Sequence, residues 1–362
     1  MKTNKKKNQL AAIAITAALL ASPKAYSLSV DHASAAPAAK YKIIAQPFDI
    51  EGKKTSINTI NKDGSTYIAL RNVNTALQLS SNFDKAAQLV IVSGNGRTMK
   101  INMKTKAITL NGQSIFGPEV ILQDNTTYLP FRFLLEMMGY EVTYTNSTKQ
   151  VGVRAIKEND LQIQARKIGT DGDGKSLSVY YPVISGYAVA DIQNKINAFL
   201  KQEADKHIAA GSKEMDQVVK GNNQLLAENP KADVRQPRLE GRFTVTYNEK
   251  GKLSMYVDYH IYTGGAHGLT ARFPYTFDLL TGDLISLKNA AGNDDYVSII
   301  NRHIKEQIKS RGLELITPFH TIEANREYFL SHNGVTIYFT QYEYTSYANG
   351  MPAFIVPYSE FK

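Results

Sequence analysis

One stretch decides the fold of the carboxy-terminal half, YTGGAHG at residues 262–268. It follows residues 253–262, where apolar and polar side chains alternate as in a β-strand. Adjacent glycines allow positive φ and let a ligand or another backbone approach closely. His267 is the side chain of this stretch best suited to bind a metal or to donate a hydrogen bond. The rest of this half is therefore interpreted as a scaffold that positions the turn.

The segments around the turn predict an α+β module over residues 160–362. Its strands are predicted at residues 161–168, 176–181, 243–247, 253–262, 273–279, 335–340 and 353–356. Two amphipathic helices are predicted at 189–208 and 294–308, each with apolar residues along one face. Residues 211–237 are polar and rich in helix breakers, which predicts a long and only partly helical excursion. We divide the module into a first subdomain, 160–250, and a second, 251–362, which contains the glycine turn.

Residues 41–155 contain an internal repeat, in which 63–73 align without gaps on 124–134. Each copy predicts a turn, a short strand, a short helix and a strand, so this part is expected to hold two repeated β-α-β units. In the second copy, Pro130 suits the first helical turn and Gly139 the position just past the helix. Residues 98–111 predict a hairpin region between two Asn-Gly turns.

The first 27 residues have the three parts of a secretory signal. They contain lysines at 2, 5, 6 and 7, an apolar run over 10–21, and a cleavage site at 25–27, with a later candidate at 33–35. Residues 28–40 are rich in alanine and predict a flexible linker. With Lys24 the first 27 residues contain five lysines and no acidic residue, so removing them leaves 37 of the 42 basic residues against 33 acidic ones, a net charge of +4. That balance does not indicate nucleic-acid binding.

The chain has no cysteine, which excludes disulfides, thiolate metal sites and thiol nucleophiles. The signal predicts a secreted, extracellular protein, and the mild positive charge is compatible with association with an anionic cell wall.

The second copy of the repeat carries the motifs TYLPFR at 127–132 and GYEV at 139–142. With them, residues 41–155 resemble the copper amine oxidase-like N-terminal domain, a stalk module of secreted Gram-positive proteins. The resemblance implies a spacer or adhesive role. It does not imply copper, because redox copper needs clustered imidazole or sulfur ligands and this segment has neither histidine nor cysteine. We expect no cofactor.

Four motifs occur in order in the second half: YTGGAHG at 262–268, TFDLLTG at 276–282, FTQYE at 339–343 followed by YANG at 347–350, and FIVPYSE at 354–360. Together they resemble a paired domain of unknown function. That domain is found in the ectodomain of the lysozyme-binding anti-sigma-V factor and ahead of the catalytic domain in certain peptidoglycan deacetylases. Neither a sigma-binding segment nor a deacetylase domain has a counterpart in this sequence. The resemblance therefore implies a binding module.

Candidate binding residues lie in the glycine turn and in the tyrosine-rich loop that follows residue 341. They are Tyr262, Gly264, Gly265, His267, Tyr342, Glu343 and Tyr347. Tyrosines next to a glycine-containing loop suit sugar stacking or protein recognition, because each offers rigid area with a polar tip. The alternatives are that the tyrosines pack on the sheet and that His267 only hydrogen-bonds backbone at a tight turn.

No catalytic residue is predicted, since neither a Gly-x-Ser-x-Gly motif nor a phosphate-binding glycine loop occurs. Asp258 and His260 share a strand face and with His267 are weak metal candidates, but no His-Glu-x-x-His motif supports them. The leading hypothesis is a non-catalytic protein that binds a cell-wall glycan or a wall-acting protein such as lysozyme. The alternatives are an envelope hydrolase of the glycan deacetylase or esterase type that uses His267, and a structural surface-layer or spacer protein.

Overall fold

The computed structural model describes residues 40–73, 77–145, 147 and 150–362. The predicted signal and nearly all of the predicted linker lie outside these residues. Lys42–Lys362 form one compact unit. Its sheets and helices give an α+β fold, as the sequence predicts. Among the described residues, no helix combines the length and the apolar composition that a membrane span requires.

Among its described residues, the amino-terminal part, 42–155, contains twelve strands and one α-helix. The strands are β1 (Ile43–Ile50), β2 (Lys53–Lys62), β3 (Ser65–Ala69), β4 (Ser80–Asp84), β5 (Leu89–Gly94), β6 (Arg97–Asn102), β7 (Ile108–Leu110), β8 (Gln113–Ile115), β9 (Ile121–Gln123), β10 (Thr126–Pro130), β11 (Tyr140–Thr145) and β12 (Gln150–Ala155), and the helix is α1 (Phe131–Met137). One sheet has the order β11-β12-β1-β2-β3-β10-β9, and the other is the meander β4-β5-β6-β7-β8.

The two copies of the repeat meet in the larger sheet, where β3 and β10 pair antiparallel. In the second copy β10 is followed by α1 and β11, and in the first β3 is followed by a 3-10 helix at Leu70–Asn72. Gly139 has φ 85°, which is the left-handed conformation expected just past a helix end. Helix α1 itself begins one residue after Pro130. Both Asn-Gly turns are confirmed, since Asn95-Gly96 and Asn111-Gly112 have positive φ throughout.

The carboxy-terminal part, residues 156–362, contains eight strands and three helices among its described residues. The strands are β13 (Gln162–Gly172), β14 (Lys175–Ser185), β15 (Arg238–Glu249), β16 (Lys252–Tyr262), β17 (Leu269–Asp278), β18 (Tyr328–Ser331), β19 (Gly334–Tyr338) and β20 (Ala353–Pro357), and the helices are α2 (Ala190–Glu228), α3 (Leu287–Ala291) and α4 (Tyr296–Ser310). Strands β13 to β17 form one sheet in chain order, and β18 to β20 form a second.

Helix α2 departs most from the sequence prediction, because it has 39 residues and continues through the segment interpreted as breaker-rich. Gly211 is buried within it, and a Cβ at this position would lie 2.6 Å from the Leu239 side chain. This glycine lets the helix approach β15 closely instead of ending it. Strand β18 was not predicted, since four residues are too few for a clear periodicity.

The sheet formed by β13 to β17 has two different faces. One is apolar and packs on α2 through residues that include Leu253, Met255, Val257, Tyr259, Ile196 and Leu200. The opposite face carries cross-strand rows of polar side chains, among them Arg242, Asp258 and Arg272 in one row and Glu240, His260 and Thr270 in the next. The subdomain boundary proposed at 250/251 falls in the turn between β15 and β16, so this sheet contains residues from both sides of it.

Candidate functional site

Three of the predicted binding residues meet where the turn after β16 faces the loop after β19. The His267 ring stacks on Tyr347, with ring centroids 4.0 Å apart and an interplanar angle of 23°. The Tyr342 hydroxyl lies 3.2 Å from His267 Nε2. We call His267, Tyr342 and Tyr347 the ring cluster. Tyr342 is 46% exposed and His267 is also exposed, so this cluster is open to a partner.

The backbone at Tyr342 is in an unusual conformation, with φ 64°. A bulky residue at positive φ is a genuine outlier, and such strain concentrates at functional sites. The next residue, Glu343, holds the loop in place. Its carboxylate accepts hydrogen bonds from Arg326 at 2.5 and 2.7 Å and from the Thr340 amide at 2.8 Å.

Burial raises the pKa of Glu343, but the hydrogen bonds from Arg326 and Thr340 outweigh it and keep the pKa below its usual range. The carboxylate therefore stays ionised and engaged within the protein. In this structure Glu343 positions Tyr342, while Tyr342 is the side chain that faces outward.

The glycine turn is fixed at both ends. Gly264 has φ 93°, as the adjacent glycines predict, whereas Gly265 does not adopt positive φ. Arg235 holds this end, because its Nη1 donates to the Tyr262 hydroxyl at 3.2 Å and lies 3.5 Å from the Gly265 carbonyl. Tyr262 also packs under the guanidinium of Arg238, 5.2 Å from the ring centroid. Tyr262 and Gly265 thus shape the turn next to the ring cluster.

The close approach predicted for the turn occurs at Gly268. A Cβ at this position would lie 2.5 Å from both His260 Nε2 and the Ile261 carbonyl oxygen. The Gly268 carbonyl accepts a hydrogen bond from the Tyr347 hydroxyl at 3.2 Å and lies 3.1 Å from His267 Nδ1. The absence of a side chain at 268 therefore lets the ring cluster sit directly against β16.

Asp258 and His260 do not join His267. Asp258 accepts two hydrogen bonds from Arg272, both at 2.8 Å, and His260 Nδ1 lies 3.1 Å from Thr270 Oγ1. Burial lowers the pKa of His260, so its imidazole is neutral at pH 7. Within the described ranges, no group of three His, Cys, Asp or Glu side chains is arranged to hold a metal ion.

The contacts of His267 bear on the hydrolase alternative. A catalytic histidine needs a nucleophile or a substrate proton within hydrogen-bond reach and a group that orients its second nitrogen. The contacts described for His267 are the Gly268 carbonyl and the rings of Tyr342 and Tyr347. The Gly268 carbonyl orients Nδ1 and the Tyr342 hydroxyl faces Nε2, so these contacts hold the ring in one orientation at the surface.

A cavity of about 790 Å³ lies between the amino-terminal part and the polar face of the sheet. Its lining includes Arg97, Phe116, Phe133, Met137, Glu158, Arg238, Glu240, Arg242, Tyr256, Asp258, His260 and Met351. The sequence does not reveal this site, because most of its lining comes from two distant stretches of the chain, 95–137 and 238–270. The shared strand face of Asp258 and His260 was the signal that pointed toward it.

Comparisons with known proteins agree with the motifs. Three family models match the chain. Residues 49–153 match the copper amine oxidase N-terminal domain, 168–270 the model described as deacetylase PdaC, and 286–359 a protein family of unknown function, DUF3298. The resemblance drawn from the sequence is therefore confirmed. The ring cluster combines the last two modules, since His267 lies in the second match and Tyr342 and Tyr347 in the third.

Two solved structures of the DUF3298 family are similar to this chain. One, from Bacteroides fragilis, is 16% identical with a TM-score of 0.44, covering 56% of this chain and 93% of that one. The other, from Pseudomonas aeruginosa PAO1, is 13% identical with a TM-score of 0.37, covering 55% of this chain and 91% of that one. No curated protein matches the chain.

Proposed function

We propose that this chain is an extracellular, cell-wall-associated binding protein without catalytic activity. Its ligand is a wall-acting protein such as lysozyme or a cell-wall glycan, and the ring cluster is its contact surface. The three family matches are to domains associated with the cell envelope, which supports this setting. The observation that carries the proposal is the exposed Tyr342 ring, which is kept at positive φ and packed beside His267.

The shape of the ring cluster favours the protein partner. Tyr342 and Tyr347 have ring centroids 5.7 Å apart, so with His267 they form a continuous aromatic patch at the end of the sheet. Tyrosine contributes large contact area at a small loss of conformational entropy and is enriched in binding hot spots. Arg235 lies beside this patch and adds a cation that can pair with an acidic group of the partner.

The test measures binding of the chain to immobilised lysozyme and to insoluble peptidoglycan, with Tyr342→Gly as the decisive variant. Glycine adopts positive φ without strain, so this change removes the ring while the loop keeps its conformation. We expect Tyr342→Gly to weaken binding about tenfold or more, as removal of a hot-spot aromatic does. The matched control is Tyr144→Ala, at a tyrosine of similar exposure on β11, which should leave binding unchanged.

Binding to neither lysozyme nor peptidoglycan contradicts the proposal and favours the spacer alternative. If Tyr342→Gly binds as tightly as the wild type, the contact surface is not the ring cluster. Esterase or glycan deacetylase turnover that His267→Ala abolishes, with the fold retained, favours the hydrolase alternative.

A further inference from the structure

The floor of the 790 Å³ cavity is charged, yet each of its central charges already has a partner. Asp258 is paired with Arg272 through two hydrogen bonds of 2.8 Å. Glu240 Oε2 lies 3.2 Å from Arg242 Nη2. The Asp258–Arg272 pair follows from the strand register, which puts these two residues opposite each other on β16 and β17. Glu240 and Arg242 are two positions apart on β15, so their side chains share one face of that strand.

The amino-terminal wall repeats this arrangement and adds apolar surface. Arg97 is paired with Glu158 at 2.6 and 2.9 Å. Phe116 stands at the cavity with 84% of its surface exposed, and the guanidinium carbon of Arg242 lies 4.0 Å from its ring centroid. Phe133 and Met137 of the α1 region extend this apolar wall.

The two walls are joined by the side-chain amide of Gln113, which bonds the backbone of β15 as a neighbouring strand would. Gln113 Nε2 donates to the Phe243 carbonyl at 2.8 Å, and its Oε1 accepts from the Phe243 amide at 2.9 Å. Gln113 is buried, so both hydrogen bonds are shielded from water. The side-chain amide of Asn111 donates a further hydrogen bond of 2.9 Å to the Ile163 carbonyl. The cavity is therefore preformed, which is usual for small-molecule sites between two parts of a protein.

We infer that this cavity is a binding site for a neutral saccharide. A charged ligand has to compete with an existing ion pair, and separating a partly buried pair is costly. Hydroxyl groups avoid this cost, because they donate to the carboxylates and accept from the guanidinium groups while the pairs stay intact. The C–H faces of a sugar ring pack against aromatic rings such as Phe116 and Tyr256. A cavity of this volume holds a ligand of two or three sugar residues, about the size of a drug-like molecule.

The site is separate from the ring cluster, since His267, Tyr342 and Tyr347 do not line the cavity. The inference thus goes beyond the proposed function, and either can fail alone. His260 links them only structurally: its ring lines the cavity, and Gly268 packs against it. Its neutral imidazole offers a hydrogen-bonding group without adding charge to the floor.

Calorimetric titration with four trisaccharides tests the inference. Two are neutral, N,N′,N″-triacetylchitotriose and maltotriose, and two carry charge, chitotriose as a cation and trigalacturonate as an anion. We expect at least one neutral trisaccharide to bind about tenfold more tightly than either charged one. Phe116→Ala and Glu240→Gln should each weaken that binding about tenfold. Phe116 is exposed, so its removal does not threaten the fold.

Two controls separate this site from the ring cluster. Phe83→Ala removes another exposed phenylalanine, on β4, and should leave saccharide binding unchanged. Tyr342→Gly should also leave saccharide binding unchanged while it weakens binding of the protein partner about tenfold or more. The inference is overturned when neither neutral trisaccharide binds at millimolar concentration, when a charged one binds more tightly, or when Phe116→Ala has no effect.

Discussion

The two faces of the sheet β13 to β17 differ in how their side chains find partners: one face packs by apolar contact and the other by pairing of opposite charges. On the apolar face, side chains such as Met255 and Val257 pack on α2 and are buried without any need for a particular partner. On the polar face, charged side chains lie beside partners of opposite charge, as Asp258 lies beside Arg272. The first face stabilises the fold by the area that it removes from water. The second contributes little net stability but fixes which residues lie opposite each other.

This difference has a functional consequence. An apolar face packs until no space is left, whereas a face of paired charges keeps its side chains partly hydrated. The cavity lies on the polar face, and the glycine turn at the end of β16 extends the same strand to the ring cluster. The scaffold role falls to one face and the candidate binding roles to the other.

Phe277→Ala on the apolar face should have the largest effect on stability. Phe277 is 1% exposed and packs edge-on against Phe199, with ring centroids 5.5 Å apart. Truncating a buried phenylalanine costs about 3–5 kcal/mol in the free energy of unfolding, because it removes buried area and leaves a void. Guanidinium denaturation measures this loss. A loss below about 1 kcal/mol contradicts the assignment of this face as the main source of stability.

Asp258→Ala on the polar face should cost less, about 2 kcal/mol. The Arg272 side chain is 11% exposed and loses its carboxylate partner, which leaves a buried cation unpaired. The loss stays below the range for fully buried pairs because Asp258 is 27% exposed. Arg272 also keeps its position 3.7 Å from the Tyr256 ring centroid. Urea denaturation of this variant and of the wild type gives the difference.

The double variant Asp258→Ala with Arg272→Met sharpens the comparison. Replacing both partners removes the unpaired cation, so stability should recover to within about 1 kcal/mol of the wild type. The single variant Arg272→Met is measured as well. If the double variant loses as much stability as Asp258→Ala and Arg272→Met together, the pair does not act as a unit. The polar face would then resemble the apolar one.

The sequence predicts the elements of the fold well where the periodicity is long. The alternation over 253–262 predicts β16, and the apolar stripe over 294–308 predicts most of α4, because burial of one face imposes those patterns. The sequence predicts α2 too short, because a glycine at 211 looks the same whether it ends a helix or packs against another element. That other element is β15, where Gly211 contacts Leu239.

The candidate site is harder to predict, because its residues are brought together by tertiary structure. His267 and Tyr342 are 75 positions apart, and the sequence gives no pattern that joins them. Glu343 was included as a binding candidate because it lies next to Tyr342, whereas its pairing with Arg326 depends on how the loop folds back. Asp258, His260 and His267 are close in sequence and form the weak metal candidate. In the structure Asp258 and His260 lie on the polar face of β16 and line the cavity, whereas His267 lies in the turn beyond the strand.

The apolar face also contains a buried histidine, His207 of α2. Its ring is 4% exposed and lies between Phe273 and Tyr259, with centroid distances of 3.8 and 4.8 Å. Neither ring nitrogen makes a well-formed hydrogen bond among the described residues, and Nε2 lies 3.5 Å from Glu203 Oε2. Burial lowers the pKa of His207 below its usual value, although Glu203 nearby acts in the opposite direction. The apolar face therefore tolerates this side chain in its neutral form.

The smallest effect we expect is a pH dependence that arises from His207. Its pKa is lower in the folded chain than the value of about 6.5 in the unfolded chain, so below pH 6.5 the unfolded chain binds more protons. The stability is fully present above pH 6.5 and is lost as the pH falls toward the folded pKa. His207→Phe keeps the ring packing and removes the titration, so the stability lost between pH 7 and pH 5 should shrink by about 1 kcal/mol. Urea denaturation at both pH values measures it, and an unchanged loss in the variant means that the acid sensitivity of the apolar face comes from a different group.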